Sequence, residues 1–145
     1  MKIELRRVDK SNWFAVCRLE VRKSEQEYVA PNAFSLAQAA YETDAFPLAI
    51  YADGVLAGFL MWNYDSGLGV WGLARLMVTP EYRSRGIARG AVSMLLSQLR
   101  AQKGKIPFYT CVPADNEAAL ALMQSLGFST LRDMEDGELL MRIQL

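Results

Sequence analysis

The chain has 145 residues, 52% of them hydrophobic and 22% charged, and its 16 basic residues balance its 16 acidic ones. This composition indicates one globular domain, residues 1–145, and the zero net charge disfavours nucleic acid and membrane surfaces as partners. The chain contains no histidine, which excludes Ser-His-Asp and Cys-His catalysis and most zinc sites, and we expect no bound metal.

Periodicity and turn residues predict the secondary structure in chain order. The predicted elements are a strand over residues 2–8, helices over 13–20 and 32–41, strands over 46–52, 55–64 and 70–78, a helix over 86–102, a strand over 106–112, a helix over 116–126, and strands over 128–134 and 138–145. The candidate first residues or caps of three helices are Asp9 or Ser11, Asn32 or Ser35, and Asp115 or Asn116. Turns at Asp53-Gly54 and Asp136-Gly137 predict two hairpins. With no repeat or linker, the pattern predicts a single α/β domain.

The most informative stretch is residues 76–90, where a strand ends and small residues begin a helix. A helix start leaves backbone N–H groups unpaired and carries a positive dipole, so an anion is stabilised there. Gly86 and Ala88 leave room for an anion to touch the main chain. Three arginines add charge-assisted donors: Arg83, Arg85 and Arg89. We therefore predict a phosphate or pyrophosphate ligand, the alternative being a plain turn with solvated arginines.

Two other phosphate-binding motifs do not fit. The sequence has no Gly-x-x-x-x-Gly-Lys-Ser/Thr segment, which excludes a P-loop nucleotidase. Gly67-Leu68-Gly69-Val70-Trp71-Gly72 matches the dinucleotide pattern Gly-x-Gly-x-x-Gly. It runs into a predicted strand rather than a helix, so its context is wrong for a cofactor loop.

The segment Arg83-Ser84-Arg85-Gly86-Ile87-Ala88 resembles the Arg/Gln-x-x-Gly-x-Gly/Ala signature of the GNAT acetyltransferase superfamily. Residues 116–128 are similar to the family's Asn-x-x-Ala-x-x-Leu-Tyr-x-x-x-Gly-Phe helix, and the resemblance covers about residues 46–128 well. It implies the α/β GNAT fold, a mixed and mostly antiparallel twisted sheet of about six or seven strands with helices on both faces. It also implies an N-acetyltransferase that uses acetyl-CoA.

The resemblance further implies how the cofactor binds. In this family a bulge parts the long central strand from its neighbour, and the pantetheine lies in the gap. Main-chain groups of Leu76, Met77 and Val78 are then expected to pair with the pantetheine amides, and Asn116 to contact its arm. Asn116 also suits the alternative of a helix cap alone. The pyrophosphate is expected on the N–H groups of Ser84, Arg85, Gly86, Ile87, Ala88 and Arg89, with Arg83 beside them.

One departure from the family concerns proton transfer. Met123 stands where most relatives have a tyrosine that protonates the departing thiolate, and methionine has no proton to give. Tyr109 is a candidate substitute, the alternative being a tyrosine of the core or rim. The base that activates the amine must be a carboxylate, a tyrosine or a water relay, because histidine is absent. Glu27 is our candidate.

The acceptor is expected to be a small-molecule amine. Residues 24–37 look like the first helices of bacterial spermine/spermidine (diamine) acetyltransferases, so we prefer a polyamine or small diamine. Glu25, Glu27 and Asp65 are the candidate substrate-binding carboxylates, with Glu42 and Asp44 as further candidates, and a solvated surface is the alternative for each. Other amines remain open, namely an antibiotic, an amino acid or a protein N-terminus. So does a non-catalytic acyl-CoA-binding domain.

The remaining expectations concern compartment and assembly. The first residues alternate charged and apolar side chains and lack the apolar stretch of a signal peptide. No apolar run has the length of a membrane span. We therefore expect a cytoplasmic protein in which Cys17 and Cys111 are reduced. The apolar C-terminal strand is compatible with pairing within the chain and equally with pairing across a homodimer.

Overall fold

The computed structural model describes residues 1–145. The elements are β1 (Ile3–Arg7), α1 (Trp13–Arg18), α2 (Asn32–Tyr41), β2 (Ala45–Ala52), β3 (Val55–Asp65), β4 (Val70–Val78), α3 (Ile87–Lys103), β5 (Pro107–Pro113), α4 (Glu117–Ser125), β6 (Ser129–Asp133) and β7 (Glu138–Gln144). Short 3₁₀ turns lie at Lys23–Glu25 and Pro80–Tyr82. The predicted elements are confirmed, with most ends shifted by one or two residues.

The start of α1 differs from the prediction. Asn12, and not Asp9 or Ser11, is the residue that directly precedes the helix. Asp9 instead accepts hydrogen bonds from the main-chain N–H of Ser11 at 2.8 Å and from its hydroxyl at 2.6 Å. Asp9 and Ser11 are thus hydrogen-bonded to each other in a turn that precedes the helix. The prediction that one of them caps α1 is wrong.

The seven strands form one sheet in the order β1-β2-β3-β4-β5-β7-β6. Every neighbouring pair is antiparallel except β4 and β5, which run parallel. The C-terminal strand β7 lies between β5 and β6 within the same chain. The predicted mixed, mostly antiparallel sheet is confirmed.

Two apolar clusters lie on opposite faces of the sheet. On one face α3 buries Ile87, Ala91, Val92, Leu95 and Leu99 against the sheet, at the spacing of one helix face. On the other face Val16 of α1 packs against residues of β2 and β3. The helices therefore cover both faces, as predicted. No helix in the structure combines the length and the hydropathy that a membrane crossing requires.

The centre of the sheet opens between β4 and β5. Only two residue pairs join these strands, Gly72 with Tyr109 and Leu73 with Thr110. The register of β4 against β3 shifts by one residue next to Ala74, which marks a β-bulge. Beyond the bulge β4 stays paired with β3 and has no partner on the β5 side. A gap therefore forms along the last residues of β4.

Candidate active site

A cavity of about 290 Å³ lies beside the parted end of β4 and the start of α3, and we name it the α3 cavity. The lining residues predicted from the sequence to bind the cofactor are Leu76, Met77, Val78, Arg83, Ser84, Gly86, Ile87, Ala88, Arg89 and Asn116. Arg85 does not line it. The Arg85 side chain is exposed, and its guanidinium lies 5.3 Å from the centre of the Tyr82 ring.

The turn before α3 is shaped to receive an anion. Ser84 and Gly86 both adopt left-handed backbone conformations, with φ of 61° and 76°. Alternating backbone handedness of this kind gathers successive N–H groups into a concave nest. The N–H groups of residues 84–89 donate to no acceptor in the protein, and no side chain caps α3. Six consecutive donors are therefore available to a ligand at the positive end of a helix.

Arg83 is held by the protein and does not project freely into the α3 cavity. Its Nε donates to the Val78 carbonyl oxygen at 3.1 Å, and its Nη1 forms an ion pair with Glu25. The hydrogen bond from Arg83 holds the pKa of Glu25 below its ordinary value. Glu25, a predicted substrate-binding residue, is thus engaged by a cation on the α3 cavity and is not gathered with the other predicted carboxylates.

Asn116 and Met123 lie on α4 beside the gap. The Asn116 side chain accepts a hydrogen bond from the N–H of Ala119 at 3.2 Å, so its role as a helix cap is confirmed. Asn116 also lines the α3 cavity, which leaves its amide N–H₂ available to a ligand. Met123 is buried, with 3% of its surface exposed, and lines the space between β4 and β5.

A narrower space of about 110 Å³, the strand gap, continues from the α3 cavity between β4 and β5. It shares Leu76, Asn116 and Leu122 with the α3 cavity. At its other end it shares Arg75 and Cys111 with a cavity of about 410 Å³, which we name the acidic cavity. The three spaces adjoin one another through these shared residues, and we call them together the cleft.

The acidic cavity is lined by three carboxylates, those of Asp65, Asp136 and Glu138. Tyr109 also lines it and is absent from the α3 cavity. An adjoining hollow of about 440 Å³ shares Asp65 and adds Glu42 and Asp44, two of the further predicted carboxylates. Glu27, the predicted base, is exposed and lines none of these spaces.

The sequence patterns do not point to Asp136 and Glu138. Both lie at the turn and first residue of the last hairpin, where they read as ordinary turn residues. They reach the cleft because β7 lies directly beside β5, with Glu138 opposite Pro113. No local sequence signal carries that pairing, because it joins segments that are distant in the chain.

Burial raises the pKa of Glu138 above its ordinary value, and the neighbouring Asp136 raises it further, while Arg75 opposes both. Arg75 donates from Nη1 to the Ala74 carbonyl oxygen at 3.1 Å and from Nη2 to Gln38 Oε1 at 3.2 Å. No group of three carboxylate or cysteine side chains lies close enough together to hold a metal ion. The cleft therefore has anion-binding donors at one end and carboxylates at the other.

Comparison with known protein sequences identifies relatives. The model of the acetyltransferase (GNAT) family matches residues 9–128. An acetyltransferase from Sodalis glossinidius (strain morsitans) is 33% identical over 101 residues, a match that covers 70% of this chain. The same match spans 66% of that relative's length.

Solved structures share the fold. The spermidine N-acetyltransferase from Vibrio cholerae, in complex with CoA and spermine, matches with a TM-score of 0.79 at 14% identity, covering 98% of this chain and 95% of that one. The ribosomal-protein-S18-alanine N-acetyltransferase from Escherichia coli matches with a TM-score of 0.73 at 20% identity, covering 99% and 94%. The fold and the family resemblance seen in the sequence are both confirmed. The chain belongs to the acetyltransferase (GNAT) family.

Proposed function

We propose that this protein transfers the acetyl group of acetyl-CoA to a primary amine, with both substrates bound together. The observation that carries this proposal is the run of six unpartnered N–H groups at residues 84–89. All of these residues except Arg85 line the α3 cavity, which adjoins the strand gap and, through it, the acidic cavity. One substrate with an anionic linkage and one cationic amine would thus meet inside the opening of the sheet.

The residues on the CoA side fit that ligand. The N–H groups of residues 84–89 would hold the pyrophosphate, a doubly charged group suited to a helix start. Leu76, Met77 and Val78 pair with β3 on one side and have no strand on the other. Main-chain groups that point away from β3 are therefore available to an amide-containing arm, except the Val78 carbonyl oxygen, which accepts from Arg83 Nε. CoA supplies the activated acetyl thioester, and the strand gap would hold its reactive end.

Positioning is expected to account for much of the rate. Two reactants held in the strand gap react as one unit, which is worth about 7–11 kcal/mol of the barrier in well-oriented systems. Met123 has no proton to donate to the departing sulfur. Tyr109 lines the acidic cavity next to the strand gap and is the hydroxyl that we propose for this step.

We propose a polyamine or small diamine as the acceptor. The carboxylates Asp65, Asp136 and Glu138 line one space, and Glu42 and Asp44 line the adjoining one. Such a distribution suits a substrate whose positive charges are separated by several carbon atoms, because each ammonium would find an acceptor. The Vibrio cholerae relative, which has the same fold, was solved with CoA and spermine.

An amine panel tests this function. Wild-type protein with acetyl-CoA is expected to release thiol with spermidine, spermine and short diamines, with kcat/KM at least about tenfold above that for a monoamine of equal length. The second ammonium supplies the difference, worth about 1.4 kcal/mol for a tenfold ratio. Thiol release and product mass are the readouts. Turnover of aminoglycosides or peptides with none of spermidine would refute the polyamine assignment, and tight CoA binding without turnover of any amine would favour a non-catalytic domain.

Direct transfer, with no acetylated cysteine, is a further expectation. Burial raises the pKa of the Cys111 thiol to about 11, so at pH 8 its thiolate is about a hundredfold scarcer than that of an ordinary cysteine. In a Cys17→Ala variant, where Cys111 is the only thiol, alkylation by iodoacetamide at pH 8 should be about a hundredfold slower than in a cysteine peptide. Mass spectrometry after incubation with acetyl-CoA should show no acetyl group on Cys111. Rapid alkylation together with an acetyl-Cys111 adduct would contradict direct transfer.

A further inference from the structure

The carboxylate of Glu138 differs from the other two in the acidic cavity. Asp65 accepts a hydrogen bond from the N–H of Leu68 at 3.0 Å, and Asp136 accepts one from the N–H of Glu138 at 3.1 Å. The Glu138 carboxylate accepts none from any N–H group of the protein and forms no salt bridge. Apart from a hydrogen bond shared with the Asp136 carboxyl group, its acceptor capacity is therefore available to a ligand in the cavity, although the residue is half-buried.

The charges that face Glu138 come from several elements. Asp136 precedes it in the hairpin turn, Asp65 lies at the end of β3, and Arg75 lies on β4. The Cys111 thiol faces it from β5 and stays protonated at neutral pH. Three carboxylates therefore face one guanidinium, and an entering ammonium would reduce this excess of negative charge. Burial and Asp136 together make the Glu138 carboxylate more basic than an ordinary glutamate, since both raise its pKa.

Glu138 also stands at the correct end of the cleft. The acidic cavity and the strand gap share residues of both parted strands, Leu73 and Arg75 from β4 and Thr110 and Cys111 from β5. An amine that enters from the acidic cavity reaches the strand gap past these residues. A carboxylate on the wall of the acidic cavity would then lie on the side of the attacking nitrogen that faces away from the thioester. From there it can accept a proton from the nitrogen.

Building on the proposed function, we propose that Glu138 is the proton acceptor for the amine. The nitrogen lone pair forms the C–N bond to the thioester carbonyl carbon, the C–S bond breaks, and its electron pair leaves with the sulfur. A primary ammonium loses two protons on becoming an amide N–H. One protonates the departing sulfur to give the CoA thiol, and the other passes through Glu138 to solvent.

The test compares Glu138→Gln with Glu135→Gln, a neighbouring exposed glutamate that lines none of the spaces of the cleft. At pH 7 Glu138→Gln is expected to lower kcat/KM for the best amine about a hundredfold or more, the usual contribution of a positioned base. Glu135→Gln should remain within about twofold of wild type. CoA affinity, measured by calorimetry, should be equal in all three proteins.

Two further readouts separate proton transfer from a structural role. The defect of Glu138→Gln should shrink as the pH rises towards the amine's own pKa of about 10, because neutral amine needs no base. It should also shrink for a weakly basic amine that is already neutral at pH 7. The wild-type rate should fall at low pH through a pKa above the ordinary value of about 4.3, and Glu138→Gln should lack that limb.

The possible outcomes are distinguishable. Wild-type turnover with Glu138→Gln equal to Glu135→Gln overturns the role of Glu138 and leaves the proposed function standing. A defect that is constant across pH and across amines also overturns it. Should Glu138→Gln fail to fold, Glu138→Asp replaces it, because a shorter carboxylate should retain the low-pH limb with a reduced rate. Absence of thiol release by wild type with every amine removes the proposed function and this proposal together.

Discussion

Gly86→Glu is expected to lower the affinity for CoA about a thousandfold. Gly86 precedes α3 and lies among the six unpartnered N–H groups, and a Cβ built on it would meet nothing within 4 Å. The space there is open, so the glutamate side chain would lie where the pyrophosphate is expected. A carboxylate about 4 Å from a phosphate charge raises the energy by about 4 kcal/mol near a protein surface, which is close to three factors of ten.

Two matched variants isolate the charge. Gly86→Gln has the same size without the charge, and Gly86→Ala tests the left-handed backbone alone, whose cost for a non-glycine residue is about 1–2 kcal/mol. We expect the order of CoA affinity, from calorimetry, to be wild type, Ala, Gln and then Glu. Raising the salt concentration should reduce the difference in CoA affinity between the Gln and Glu variants, because salt screens the added charge. Equal CoA affinity in the Glu variant and wild type would show that the anion lies elsewhere.

Gly72→Ala is expected to cause a large loss of stability. Gly72 belongs to one of the two residue pairs that join β4 to β5, and a Cβ on it would lie 2.6 Å from the Tyr109 carbonyl oxygen. That atom belongs to the main chain and cannot rotate away, so the strands must shift. We expect a cost of about 2–3 kcal/mol and a fall in Tm of about 5–10 °C.

Gly67→Ala provides the control for that measurement. Gly67 is exposed, and its added Cβ would lie 3.3 Å from the end of the flexible Asp65 side chain. Urea unfolding of both variants should show a change below about 0.5 kcal/mol for Gly67→Ala, as is usual for surface substitutions. If the two variants were equally stable, β4 and β5 would have to lie further apart at Gly72 than the structure shows.

The parts of the molecule that follow local rules were predictable from the sequence. Hairpin turns such as Asp53-Gly54, the strand stop at Pro80 and the helical spacing of α3 are encoded within a few residues. The turn that we propose binds the pyrophosphate was predictable for the same reason, because Gly86 and the residues around it are contiguous in the chain. Its left-handed backbone supplies the physical basis for the signature.

The acceptor side of the cleft depends on long-range pairing and was not predictable. Glu138 faces the cavity because β7 inserts between β5 and β6, a strand order that no local signal specifies. Glu25, in contrast to Glu138, was a residue whose charge and position in the sequence suggested substrate binding. The 3₁₀ turn at Lys23–Glu25 instead places it against Arg83, where an ion pair engages it. Charge alone indicates an attraction to cations and does not say which cation is nearest.

The two-pair seam between β4 and β5 divides the sheet into two leaves, β1–β4 and β5–β7, each with extensive hydrogen bonding of its own. A rotation about that seam would change the width of the cleft while leaving the ladders inside each leaf intact. Under the proposed function, the width at this seam would limit the acyl chain that the strand gap accepts. Adaptation to thioesters bulkier than acetyl would act first on the residues at this seam, Gly72 and Leu73 with their partners on β5.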